Sequence, residues 1–483
     1  MQKCPPEIHA YIFELACTDG GAAGVALSAV SHYVRAISAP YQWYTLAVTG
    51  TAQTVHLVER IRSFNSPGAP QREQQPAVAD SAKGKGRAKL SGPPIAHLFV
   101  SNRTASRAHE LRYTKMVATG DMAERHRVEA TFDTEADAWV RAVRALFAYA
   151  APTLRTLAMM CYDIHVSPNG RLFFSDLKRY RFPFLEELSI RGGFDTRLRD
   201  YDGGVSTAAL RQRGVQAQGG GGGGGAGGGS EGTVSGTGEP GLEYTEDGDD
   251  EPTLPALQRL HLASPISFDL FLHRLRPLAP KLSHVRLSEL LAFDFDMARA
   301  LHSELSERGI VPAQFPRLHE QQWSVEPRAV PVDWERFLPP PEKLRCLVVQ
   351  PSQLPPAPEQ LCGCCSGYYR VDDMTRLLRE MAREAQSRRV PREEKEGIGA
   401  EENAEDEPVF VFLPPGPRHD AYSFEEGHRD WLGRTTGERG CWKKQDDVDI
   451  DAEPPAPMVM ASEDGGMRSW NIGVKRSISR NWF

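Results

Sequence analysis

The sequence predicts an α/β (α+β) chain. A module of three short helices leads into an irregular array of strand–helix units broken by long inserts. Three observations carry this. Apolar residues recur at helical spacing through the first 45 residues. An apolar-x-x-apolar-x-apolar pattern, usually just after a proline, then recurs seven times. Stretches of strongly biased composition separate several of these copies.

The N-terminal module comes first. Pro6 suits an early helix position, where its missing N–H costs nothing. Ile8, Ile12 and Leu15 then fall on one helical face, with Phe13 and Ala16 nearby. Thr18-Asp19-Gly20-Gly21 ends that helix, because glycine tolerates a left-handed cap. A second helix is expected from about Val25 to Tyr33, with Leu27 and Val30 on one side. A third element spans about Arg35 to Ser38 and stops before Pro40. Three short helices cannot bury all their apolar faces alone, so they need a partner or the rest of the chain. Without a partner, the module reads as a structural cap on a larger domain.

The array follows. Its full copies are Leu154-x-x-Leu157-x-Met159, Leu185-x-x-Leu188-x-Ile190, Leu257-x-x-Leu260-x-Leu262, Leu282-x-x-Val285-x-Leu287 and Leu344-x-x-Leu347-x-Val349. Trp43-x-x-Leu46-x-Val48 and Ile95-x-x-Leu98-x-Val100 are weaker copies. The closing alternation of each is a strand signal, and the leading residue reads as the turn that enters it. Helices are expected between strands: Thr134 to Ala150, a segment around Phe268 to Leu278, Phe295 to Arg308, and Asp372 to Ser387. Val409-Phe410-Val411-Phe412 is a last strand. One strand and one helix per Leu-x-x-Leu-x-Leu unit is the logic of leucine-rich repeats, in which stacked units share a continuous core. Spacing between strands varies from about 25 to more than 60 residues. A plain α/β domain with a mostly parallel sheet of buried Leu-rich strands accounts for the same pattern.

The inserts are expected to be disordered: about 66–93, 203–252 with its glycine run, and 388–407. None holds enough apolar surface to offset chain entropy. The expected divisions are 1–48 for the helical module, 49–413 for the array, and 414–483 for a mostly disordered tail. The tail's last aromatic residues, Trp470 and Trp482-Phe483, either dock on the array as a cap or stay free.

Few features point to chemistry. Neither a Gly-x-Ser-x-Gly elbow nor a Walker loop nor His-Glu-x-x-His occurs. No enzymatic activity, cofactor or metal is expected. Cys362, Cys364 and Cys365 form a cluster without the second Cys/His pair that zinc needs at a defined spacing, and read as reduced thiols in a loop. The net charge of −7 is too mild for a nucleic-acid partner, and the basic run Lys83 to Lys89 reads as a solvated insert. No stretch approaches the roughly 18 apolar residues of a membrane span. Without a secretory hydrophobic region, an intracellular setting is expected, cytoplasmic or nuclear.

The N-terminal residues resemble the F-box-like domains of large fungal protein families. Pro5-Pro6-Glu7-Ile8 and Ile12-Phe13-Glu14-Leu15 carry the likeness, with Val30-Ser31-His32-Tyr33-Val34-Arg35 and Gln42-Trp43 behind them. Cys4 stands where the pattern has Leu, Ser31 where it has Cys, and Tyr33 where it has Trp. Many proteins of these families carry degenerate repeats behind the F-box. The resemblance implies a substrate-recognition adaptor of a Skp/cullin ubiquitin ligase. It implies docking of a Skp-type adaptor through Pro5, Pro6, Ile8, Ile12, Leu15, Leu27, Val30 and Ile37, and a target protein, of unknown identity, held by the repeats. The alternative is a non-enzymatic interaction scaffold whose N-terminal helices only cap the array.

Overall fold

The computed structural model describes residues 5–65, 93–105, 121–162, 172–173, 177, 179–192, 194–195, 252–263, 272, 275–290, 295–312, 338–340, 343–351, 366–388, 409–415 and 422–442. The three expected inserts fall outside these apart from boundary residues, as do Cys362, Cys364, Cys365 and everything from 443 onward.

Three helices open the chain: α1 (Pro6–Ala16), α2 (Ala22–Val30) and α3 (His32–Ser38). The expected proline start holds. The α1–α2 turn uses both glycines in the left-handed region, Gly20 at φ 82° and Gly21 at φ 108°. Asp19 Oδ2 accepts the Ala23 N–H at 2.8 Å and so caps α2. The boundary between α2 and α3 lies at Ser31 rather than beyond Tyr33. Ser31 is extended, and its hydroxyl accepts the Val34 N–H at 3.1 Å, the signature of an N-cap.

The further elements are, in order, β1 (Thr45–Thr49), α4 (Thr51–Asn65), β2 (His97–Ser101), α5 (Met122–Ala150), β3 (Thr156–Met160), β4 (Glu187–Arg191), β5 (Arg259–Ala263), β6 (His284–Leu290), α6 (Phe295–Glu307), β7 (Cys346–Pro351), α7 (Ser366–Arg388), β8 (Val409–Phe412) and α8 (Phe424–Thr435), so strand and helix alternate at both ends of the array. Leu172–Phe173 and Phe194–Asp195 form a separate two-residue ladder. Of the helix expected around Phe268 to Leu278, Leu272 and Leu275 are described as helical and buried, and a 3₁₀ turn follows at Arg276–Leu278.

The eight strands form one sheet in which spatial order equals chain order and every pairing is parallel. No reversal of order occurs, so each unit is added to the growing edge. The recurring sequence pattern explains the register. Leu46, Leu98, Leu157, Leu188, Leu260, Val285, Leu347 and Phe410 align in one row across the sheet. Val48, Val100, Met159, Ile190, Leu262, Leu287, Val349 and Phe412 form a second row. A strand's side chains alternate between faces, so both rows share one face, which packs on α4, α5, α6 and α7 in a single continuous core. Each fully buried Leu in these rows contributes about 1.5–3 kcal/mol.

The leading residue of each copy is the expected turn. Leu154 N–H donates to the Ala150 carbonyl, Leu185 to Phe182, Leu257 to Leu254 and Leu282 to Ala279. The next two N–H groups then share one carbonyl of the preceding unit. Arg155 and Thr156 donate to Ala96, Glu186 and Glu187 to Arg155, Gln258 and Arg259 to Glu186, and Ser283 and His284 to Gln258. The stacking is therefore hydrogen-bonded at the turns as well as along the strands.

The opposite face of the sheet is also covered, by part of the expected tail. Residues 422–442, including α8, lie across it. Tyr422, Phe424 and Trp431 pack on Phe99, Ala158, Met160 and Ala263, while Cys441 and Trp442 pack on Val348 and Val411. The chain is thus layered as helices, sheet and C-terminal segment.

Candidate docking surface and the covered sheet face

Helix α1 has two apolar faces with different fates. His9, Phe13 and Cys17, four residues apart, are buried. His9 stacks on Phe13 and its Nδ1 meets the Tyr33 hydroxyl at 3.0 Å, which joins α1 to α3. Ile8, Tyr11, Ile12 and Leu15 occupy the other face at i, i+3, i+4 and i+7, and are 47%, 61%, 48% and 57% exposed. Val25 and Val30 of α2 are more exposed still, at 71% and 66%. Of the nine large apolar residues exposed in the described structure, seven lie on these three helices. Among the described residues, exposed apolar side chains are thus concentrated in this one module.

The expected adaptor residues are distributed as follows. Pro5, Ile8, Ile12, Leu15 and Val30 are exposed. Leu27 and Ile37 are partly buried. The side chain of Pro6 lies outside the described set. Tyr11, Val25 and Tyr33 belong to the exposed set but were absent from the expected list. Tyr11 was legible as the i+3 neighbour of Ile8.

Several contacts fix this module on the array. The Tyr44 hydroxyl donates to Glu14 Oε1 at 2.9 Å, and the Ala47 N–H donates to the Gly20 carbonyl at 3.3 Å. Burial and that carboxylate push the Tyr44 phenol up to about 12. The Thr435 hydroxyl of α8 donates to the Thr18 carbonyl at 2.8 Å, tying the C-terminal helix to the α1–α2 turn.

The covered sheet face is polar at its centre. Glu187 of β4 accepts Arg434 Nε at 2.7 Å and the Trp442 indole N–H at 3.2 Å. Glu289 of β6 accepts Arg191 Nε at 3.2 Å and the Tyr422 backbone N–H at 3.1 Å. Arg286 reaches Ser288, Gln350 and the Cys441 carbonyl. Between them His261 meets Ser288 Oγ at 2.9 Å and Ser189 Oγ at 3.2 Å, with the Tyr422 ring edge-on at 4.3 Å. Burial first, then Arg286, holds His261 well below its ordinary value, so it is neutral. It lies fully buried beside the Tyr422 ring, with a serine hydroxyl on each ring nitrogen.

Cys346 and Cys441 pack within an apolar cluster with Trp442, and burial pushes the Cys441 thiol well up, against the pull of Arg286. Among the described residues no group of three His, Cys, Asp or Glu side chains is placed to hold a metal ion. No described helix is long and apolar enough to cross a membrane.

The fold and site thus define an α/β protein with an in-order parallel sheet and, among the described residues, an exposed apolar face on α1. Comparison of the chain with protein-family models, curated proteins and solved structures finds no match.

Proposed function

We propose that this chain is an F-box-like recognition subunit: α1–α3 dock on a Skp-type adaptor of a cullin ubiquitin ligase, and the array, read as leucine-rich-repeat-like, presents a target protein. One observation carries the reading. The positions that the resemblance assigns to the adaptor are led by Ile8, Ile12, Leu15 and Val30, and these are open to solvent. A structural cap would bury them. The spacing of Ile8, Ile12 and Leu15 along α1 is that of an amphipathic helix laid in an apolar groove. The register of Leu-rich rows supports the repeat-like reading of the array. The mechanism is proximity: the chain supplies no reacting group, and holding a target beside a separate transferase raises the effective concentration of its lysines.

Co-expression of the full chain with a Skp-type adaptor, beside an Ile8→Asp/Ile12→Asp variant, tests the proposal. A complex that co-purifies with the native chain and is lost in the variant is expected. A variant that binds as well as the native chain would remove α1 from the interface, because two unpaired charges cannot be buried there without loss.

A further inference from the structure

Residues 422–442 meet the sheet in the way that one protein meets another. The segment's anchors are the buried Tyr422, Phe424, Trp431 and Trp442 and the paired Arg434, and aromatic and Arg side chains dominate binding hot spots. The sheet answers with two buried carboxylates, Glu187 and Glu289. Glu187 takes both Arg434 and the Trp442 indole, and Glu289 takes the Tyr422 backbone N–H. Buried ion pairs add little to stability over an apolar contact, but they fix partner and register.

One further feature distinguishes the face. Glu289 is the one non-glycine among the described residues with positive φ, at 61°, and it sits at a bulge between Ser288 and Leu290. Such strain is kept where a side chain must be re-aimed, and here it turns a carboxylate onto the sheet face.

We propose that the strand face centred on Glu187 and Glu289 is a peptide-recognition surface, and that residues 422–442 occupy it in cis in place of a target of like chemistry. That target is a protein segment with a short helix carrying aromatic residues and an arginine at the spacing of Phe424, Trp431 and Arg434. Binding requires displacement of the cis segment, so the native chain rests in a closed state. The proposal rests on the target-binding half of the reading above and not on adaptor docking, which is read by co-purification in a separate assay.

The test uses the full chain with a protease site placed between residues 416 and 421, cut after folding, and a labelled peptide of residues 422–442. The peptide is expected to enter the cut chain and to be excluded from the intact one. A peptide carrying Trp431→Ala and Arg434→Ala is expected to bind about thirtyfold more weakly or worse. Glu187→Gln in the cut chain should weaken the native peptide in the same direction. A cut chain that stays folded, keeps its own segment and admits no peptide would overturn the proposal. So would a chain that unfolds on cutting, since the segment would then belong to the core. Equal binding of the native and alanine peptides would overturn it as well.

Discussion

Acid is expected to loosen the C-terminal segment from the sheet, through two half-buried histidines that feel the charge of Arg434. His97 lies edge-on to Tyr44 and His284 edge-on to Trp442. Burial holds both down to about 4, with Arg155 and Arg434 adding to the effect on His97, and Arg259, Arg345 and Arg434 on His284. In the unfolded chain both return to about 6.5. Their folded values lie below the unfolded ones, so the unfolded state takes up protons first as pH falls. Stability is therefore full above about 6.5, falls between about 6.5 and 4, and levels off below. At about pH 5 each histidine removes about 2 kcal/mol undiscounted, and the pair about half of the resulting 4 after allowing for solvent screening of partly exposed rings. His261 and His428 are lowered by burial and act in the same direction. Asp430, raised chiefly by burial, opposes them, because its folded form protonates before its unfolded form. Urea unfolding at about pH 7 and about pH 5 should show this loss, with hydrogen exchange in residues 422–442 rising first. His97→Asn with His284→Asn should flatten the slope. Equal stability at the two pH values, or an unchanged slope in the double variant, would refute the reasoning.

Other perturbations follow from the same packing. Ile8→Asp with Ile12→Asp should leave the melting transition nearly unmoved, at about 0.5 kcal/mol per site, because both side chains already face water. Phe13→Asp on the opposite face of α1 should unfold the module, which circular dichroism and proteolysis would report. Leu157→Ala, at the centre of a buried row, should cost about 3–4 kcal/mol in denaturant unfolding. Gly427→Val should loosen α8 by about 1–3 kcal/mol, since a Cβ there would sit 2.7 Å from Met160 Cε; Met160→Ala should recover part of that loss in a thermal melt.

Much of the array was legible because its apolar pattern serves one face. The Leu-x-Leu ending of each copy places two side chains on the helix-facing core, so one short signal marks strand, register and burial together. The start of α5 at Met122 was missed by twelve residues, because its first half carries charge and little apolar periodicity and is set instead by the Asp121 cap. The second sheet face gave no readable signal. Its central row, Ala47, Phe99, Ala158, Ser189, His261, Arg286, Val348 and Val411, mixes chemistries that suggest a solvated surface. Its burial depends on α8, whose ion pair to Glu187 joins residues 247 apart in the chain. Helix α8 itself had a local sign in the Ser423-x-x-Glu426 capping box, followed by Phe424 and Trp431 on one face. The surrounding charge concealed it. On α1 the apolar spacing was plain, but which stripe faced inward was not. Phe13 and Ile12 are adjacent and equally apolar, and only packing of His9 and Phe13 against α3 decides between them.

The most direct measurement is isothermal titration of the purified full chain with a purified Skp-type adaptor, beside the Ile8→Asp/Ile12→Asp variant. The account predicts one-to-one binding to the native chain and a loss of at least about a hundredfold in a variant that melts as the native chain does. No binding to a folded native chain would contradict it.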